Sequence, residues 1–89
     1  MRAAARTSNR TGFVIACHTG HGPAARETVA LLGEEGLDAC RYVFVHADSE
    51  RDPEFHLDIA RAGGWVEWDA AGWHPTQFHL DLLAFAHDE

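Results

Sequence analysis

Phe13-Val14-Ile15-Ala16-Cys17-His18 is five apolar side chains in a row, closed by an imidazole. An unbroken apolar run with β-branched members is the pattern of a strand covered on both faces, as in parallel sheets. It returns as Tyr42-Val43-Phe44-Val45-His46 and as Trp65-Val66-Glu67-Trp68-Asp69. A helix-like segment follows each run. The order predicts an α/β fold of three consecutive parallel βα units, with strands at 13–18, 42–46 and 65–69. Ligands and catalytic groups in such folds gather at the carboxyl ends of the strands. His18, His46 and Asp69 stand at those ends and read as part of an active-site rim.

The flanking segments carry their own start and stop signals. Arg2, Arg6 and Arg10 are spaced as one exposed stripe of a helix that ends at Thr11-Gly12. This basic, acid-free N-terminus also has the flavour of a transit peptide, but it lacks the apolar core of a secretory signal. After the loop 19–22, Pro23 suits a first helical position, with Ala25, Val29 and Leu32 on one face and Gly36 as the stop. Asp52-Pro53-Glu54 is a helix start, Phe55 and Ile59 face the sheet, and Gly63-Gly64 ends the segment. Pro75 opens a last helix that carries Phe78, Leu82 and Phe85. Phe13, Phe44, Trp65 and Trp68 read as core, Cys17 as a buried reduced thiol, and His56, His79 and His87 as surface residues.

Right-handed crossovers place all three helices on one side of the sheet. The other face is then bare and both edge strands are unpaired. Parallel sheets are normally covered on both faces, and open apolar edges invite pairing with another chain or self-association. The pattern asks for more strands than the 89 residues supply, which form one partial domain without a linker.

Composition narrows the function classes. A hydrophobic content of 46% argues against disorder. A formal charge of -7 argues against nucleic acid or an anionic membrane as partner, because both require a basic face. All seven basic residues are Arg, so Schiff-base, P-loop and carbamylated-lysine chemistry are excluded from this chain. Cys17 and Cys40 are too few for a disulfide scaffold. No stretch approaches the roughly 20 apolar residues of a membrane span, and a cytoplasmic location is expected.

His18 and His46 occupy equivalent strand ends, and neighbouring strands lie about 4.8 Å apart. Both rings can therefore reach one metal ion or an ion pair, which calls for neutral imidazoles on rigid supports. Asp69 is open between orienting a ligand, accepting a proton, binding a substrate group and capping the next turn. Asp48 reads either as a partner behind the metal ligands or as a solvated loop acid. Glu67 shares a face with Trp65 and Asp69, and an acid facing a closed interior needs a partner. His21 and Trp73-His74 lie in loops on the same rim, as substrate contacts or as solvated residues.

Four stretches together resemble the phosphotriesterase family of the amidohydrolase superfamily. They are Thr11-Gly12-Phe13-Val14-Ile15-Ala16-Cys17-His18-Thr19, Leu31-Leu32-Gly33-Glu34-Glu35-Gly36-Leu37-Asp38, Arg41-Tyr42-Val43-Phe44-Val45-His46-Ala47-Asp48, and Ile59-Ala60-Arg61-Ala62-Gly63-Gly64-Trp65-Val66-Glu67-Trp68-Asp69. The resemblance implies a TIM (β/α)₈ barrel with a two-metal site, usually zinc, of which this chain supplies strands five to seven. His18 and His46 match the ligands of the second metal, so that one ion is partly liganded here. Asp69 matches the acidic position on strand seven near the substrate pocket. The family's histidine pair on strand one, its carboxylated lysine on strand four and its aspartate on strand eight have no counterpart. Such barrels run to about 250 residues, so the chain resembles a fragment of one.

The implied activity is zinc-dependent hydrolysis of a small phosphotriester or lactone, with a metal-activated hydroxide as nucleophile. Two protein ligands fall short of the usual three at a catalytic zinc, so the isolated chain is expected to be inactive. Two alternatives stand beside it: a noncatalytic α/β module that pairs with a partner chain, and a metal site serving structure or sensing.

Overall fold

The computed structural model describes residues 1–88. In chain order these form α1 (Arg2–Thr11), β1 (Ile15–His18), α2 (Gly22–Glu34), β2 (Tyr42–Val45), α3 (Pro53–Arg61), β3 (Trp65–Val66) and α4 (Thr76–Asp88). Single 3₁₀ turns at Ala39–Arg41 and Ala47–Ser49 precede and follow β2. The strands make one open parallel sheet in the order β1-β2-β3, with Ile15 opposite Tyr42 and Val43 opposite Trp65. The fold is α/β, consistent with part of a βα repeat.

The strands are shorter than their apolar runs. Phe13 and Val14 precede β1, and the Phe13 backbone is tied to α1. The Ser8 hydroxyl donates to the Phe13 carbonyl at 2.5 Å, and the Phe13 N–H donates to Thr11 Oγ1 at 3.2 Å. At β3, regular pairing stops at Val66. The Glu67 N–H still donates to the Phe44 carbonyl and the Ala47 N–H to the Glu67 carbonyl, both at 3.0 Å. That ladder carries the chain on toward Asp69.

Alternation along the strands sorts the core. Tyr42 and Phe44 are fully buried with Ala25, Leu32 and Ile59, and Ile15, Cys17, Val66 and Trp68 pack against them. On the opposite face Ala16, His18, Trp65 and Glu67 are exposed. Two expected core residues therefore lie outside it: Phe13 is 72% and Trp65 64% exposed. Trp65 lies on the face without a covering layer, and Phe13 lies in the link between α1 and β1, so apolar character alone does not bury them. Cys17 is a free thiol, half-buried rather than enclosed.

The helices dock through a few specific contacts. Arg2 and Arg6 on α1 pair with Glu34 and Glu35 at the end of α2. Gly12 ends α1 in the left-handed region, at φ 80°, and its N–H donates to the Ser8 carbonyl. Asp52 caps α3 by accepting from the Glu54 N–H at 3.0 Å. α2 starts at Gly22, one residue earlier than Pro23 suggests, because the Gly22 N–H donates to Glu50 Oε1 at 2.8 Å.

A Cβ on Gly22 would lie 2.2 Å from Phe55 Cγ and 2.6 Å from Glu50 Oε1. The Phe55 ring is itself covered by the Arg26 guanidinium, 4.4 Å from its centroid, which in turn pairs with Asp58. Gly22→Ala therefore overpacks the α2–α3 contact and is expected to destabilise by about 1–3 kcal/mol. Urea unfolding measures it; an unchanged midpoint would show that the ring swings clear.

His56 is not a surface residue. It lies three positions before Ile59, on the buried face of α3, and is 4% exposed. Its ring meets Phe44 edge-on at 6.1 Å, and Nδ1 accepts from Trp68 Nε1 at 3.3 Å. Burial pushes the His56 pKa below its ordinary value. The unfolded chain, with His near 6.5, therefore binds more protons than the folded one just below that pH. Stability is full above about 6.5 and declines as pH falls toward the folded value, by at most about 1.4 kcal/mol per pH unit. The thermal midpoint is expected to drop between pH 7 and pH 5, and less steeply in His56→Gln.

Candidate functional site

β1 and β2 end side by side, and the histidines that follow their apolar runs meet. His18 Nδ1 lies 2.8 Å from His46 Nε2, with ring centroids 4.6 Å apart and planes at 69°. His46 is the non-glycine residue with positive φ among the described residues, at 62°. A left-handed backbone is uncommon for a non-glycine residue and concentrates at functional positions. Here the neighbours enforce it: the Ala47 N–H is held by the Glu67 carbonyl, and the Ser49 N–H by the His46 carbonyl, each at 3.0 Å.

Asp69 Oδ2 sits 2.5 Å from His46 Nδ1. An ionised carboxylate only accepts, so Nδ1 carries the proton and Nε2 keeps its lone pair. That lone pair accepts from His18 Nδ1. A carboxylate behind a histidine fixes the ring's tautomer and orientation and raises its basicity toward a metal. Glu67, exposed on the same face, has a carboxylate oxygen within 4.8 Å of ligand atoms of both His46 and Asp69.

The donor set fits a divalent cation. Zinc–nitrogen bonds of about 2.0–2.1 Å put two imidazole nitrogens about 3.4 Å apart on a tetrahedral ion. The observed 2.8 Å is short of that by about half an ångström, within reach of a small ring rotation.

Asp48 is not a solvated loop acid. Its side chain is fully buried, and Oδ2 accepts from the Ala70 N–H at 2.7 Å and from His79 Nε2 at 2.9 Å. Burial acts to raise the Asp48 pKa, but the bonds from His79 and Ala70 outweigh it and hold the carboxyl below the usual range. Oδ1 has no partner among the described residues. His79 is thus not a surface residue either, its side chain being 14% exposed. Its position three residues before the buried Leu82 placed it on the inner face of α4, a periodicity signal that reading by residue type overlooks.

Two clefts open here. One of about 280 Å³ is lined by His46, Ser49, Asp69, Ala70 and Trp73. The other, about 560 Å³, is lined by Asp48, Ser49, Arg51, His74 and Phe78. Trp73 is 91% exposed at the mouth of the first. His21 is exposed at the start of α2, and its side chain takes no part in the hydrogen bonds that join His18, His46 and Asp69.

A parallel βα sheet whose strand ends converge two imidazoles and a carboxylate defines a class: βα-repeat proteins with a metal-capable rim. The phosphotriesterase family profile matches residues 1–89, and the chain belongs to that family. It is 30% identical over 84 residues to the phosphotriesterase homology protein of Escherichia coli (strain K12). The match covers 91% of this chain and 29% of that protein, so the chain spans less than a third of its relative's length. Membership supports hydrolase chemistry and divalent-metal binding in general. No helix among the described residues is long and apolar enough to cross a membrane.

Proposed function

We propose that this chain carries one half of a zinc site in a hydrolase of phosphotriesters or lactones, within a TIM barrel of which it supplies three consecutive units, and that it works in the cytoplasm. The observation that supports this reading is the 2.8 Å approach of His18 Nδ1 to His46 Nε2 at neighbouring strand ends. In this reading His18 and His46 hold the ion. When bound, a divalent cation supplies Lewis acidity, acidifying water and polarising the phosphoryl or carbonyl oxygen of the ester.

The chain's own groups do the rest. Asp69 holds the Nδ1 proton of His46 and keeps Nε2 aimed at the ion. Trp73 shields the cleft beside them from water and contacts the apolar part of the substrate, with His21 farther out on the rim. A Zn²⁺ titration of the whole chain by calorimetry tests the reading. Binding that is unchanged in His18→Ala would remove the histidine pair from it.

A second reading has its own observation. Trp65, Phe13 and Val14 are exposed on and beside the bare side of the sheet, as in a noncatalytic module seated on a partner chain. A sedimentation coefficient independent of concentration would count against self-association through these edges.

A further inference from the structure

We infer that Asp48 is a positioning residue for the His46–Asp69 pair, acting through the peptide bond between Asp69 and Ala70. Beyond Glu67 the chain has left the sheet ladder, so another contact has to fix where Asp69 projects. The Ala70 N–H belongs to the peptide plane that also contains the Asp69 carbonyl. Its 2.7 Å bond to Asp48 Oδ2 therefore sets the ψ angle of Asp69, and with it the direction of the Asp69 side chain.

Asp48 is suited to this by its place in the chain. It lies two residues after His46, in the 3₁₀ turn that begins as His46 leaves its left-handed conformation. One carboxylate thus ties the backbone just after His46 to the backbone just after Asp69. His79 closes the arrangement from α4, donating to the same Oδ2 at 2.9 Å. The side chain is fully buried, where hydrogen bonds to an ionised acceptor are short and strong. The last helix in this way braces the end of the sheet where His46 and Asp69 meet.

The inference rests on the proposed reading only for its catalytic consequence; the positioning itself is testable without metal. The experiment is long-range ¹⁵N–¹H NMR of the metal-free whole chain, at a pH where the imidazoles are neutral, reading the tautomer of His46. The wild-type chain is expected to show a single form protonated at Nδ1. Asp69→Ala, the control, is expected to give a mixture of tautomers.

Asp48→Ala, which removes the acceptor, is expected to give the same mixture, although Asp69 is untouched. A folded Asp48→Ala chain that keeps the pure Nδ1–H form, with only a lower thermal midpoint, would overturn the inference. If that variant fails to fold, His79 supplies the test. His79→Ala is expected to release the tautomer, and His79→Gln, which still donates to Asp48, to retain it. A pure Nδ1–H form in both would overturn the inference. Loss of zinc binding with an intact tautomer pattern would count against the metal reading alone.

Discussion

His46→Ala is expected to lower the affinity for Zn²⁺ by more than about 100-fold, the upper end of the effect of removing a group that merely supports a ligand. The reason is geometric. His46 Nε2 presents its lone pair at the meeting of β1 and β2, toward His18, and its proton is held on the far nitrogen by Asp69. His18 alone then leaves one imidazole and no converging partner. Asp69→Asn keeps both rings but weakens the carboxylate behind one of them, and is expected to cost about 10–100-fold. His87 on α4 is 90% exposed and contacts Asp88 rather than His18, His46 or Asp69, so His87→Ala should bind as the parent does. Calorimetry on the four chains measures the series; equal affinities throughout would place the ion elsewhere. With two imidazoles where a catalytic zinc uses three protein ligands and water, ester turnover by this chain alone is expected to be negligible.

Phe44→Ala is expected to cost about 3–5 kcal/mol. Phe44 is fully buried at the centre of the middle strand. It stands opposite Cys17 on one side and Val66 on the other, with the His56 ring against its edge. At about 0.05–0.15 kcal/mol per residue, a domain of this size holds about 4–13 kcal/mol in all. The substitution therefore removes about a quarter of the total or more, and the chain is expected to be partly unfolded at 37 °C. Phe13→Ala is the matched control: at 72% exposure it should change stability by less than about 0.5 kcal/mol. Denaturant unfolding separates the two. Equal costs would mean that the Phe13 ring is covered in solution.

That contrast shows where sequence patterns stop being informative. Phe13 and Phe44 have the same side chain and both sit in apolar runs ahead of a histidine. An apolar run does not say where the strand within it begins, and Phe13 falls in the link before β1 while Phe44 lies inside β2. A second limit applies to His56 and His79. Their residue type suggests surface, while their helical spacing from Ile59 and Leu82 places them inward, and the spacing prevailed because burial follows the face of a helix. Asp48 shows a third limit. Nothing within a few residues of it reveals that its partners are Ala70 and His79, which lie 22 and 31 positions along the chain.

What the sequence decided is local and directional. The caps at Asp52 and Gly12, the apolar runs, the parallel order of the strands and the placing of His18 and His46 at equivalent ends all follow from steric and hydrogen-bonding preferences of neighbouring residues. The close approach of those imidazoles, the left-handed turn at His46, the carboxylate on its far nitrogen and the clamp from Asp48 to α4 were decided only by the folded chain. Each depends on groups far apart along the backbone that the sheet and its helices bring to one end, and a linear pattern carries no measure of that distance.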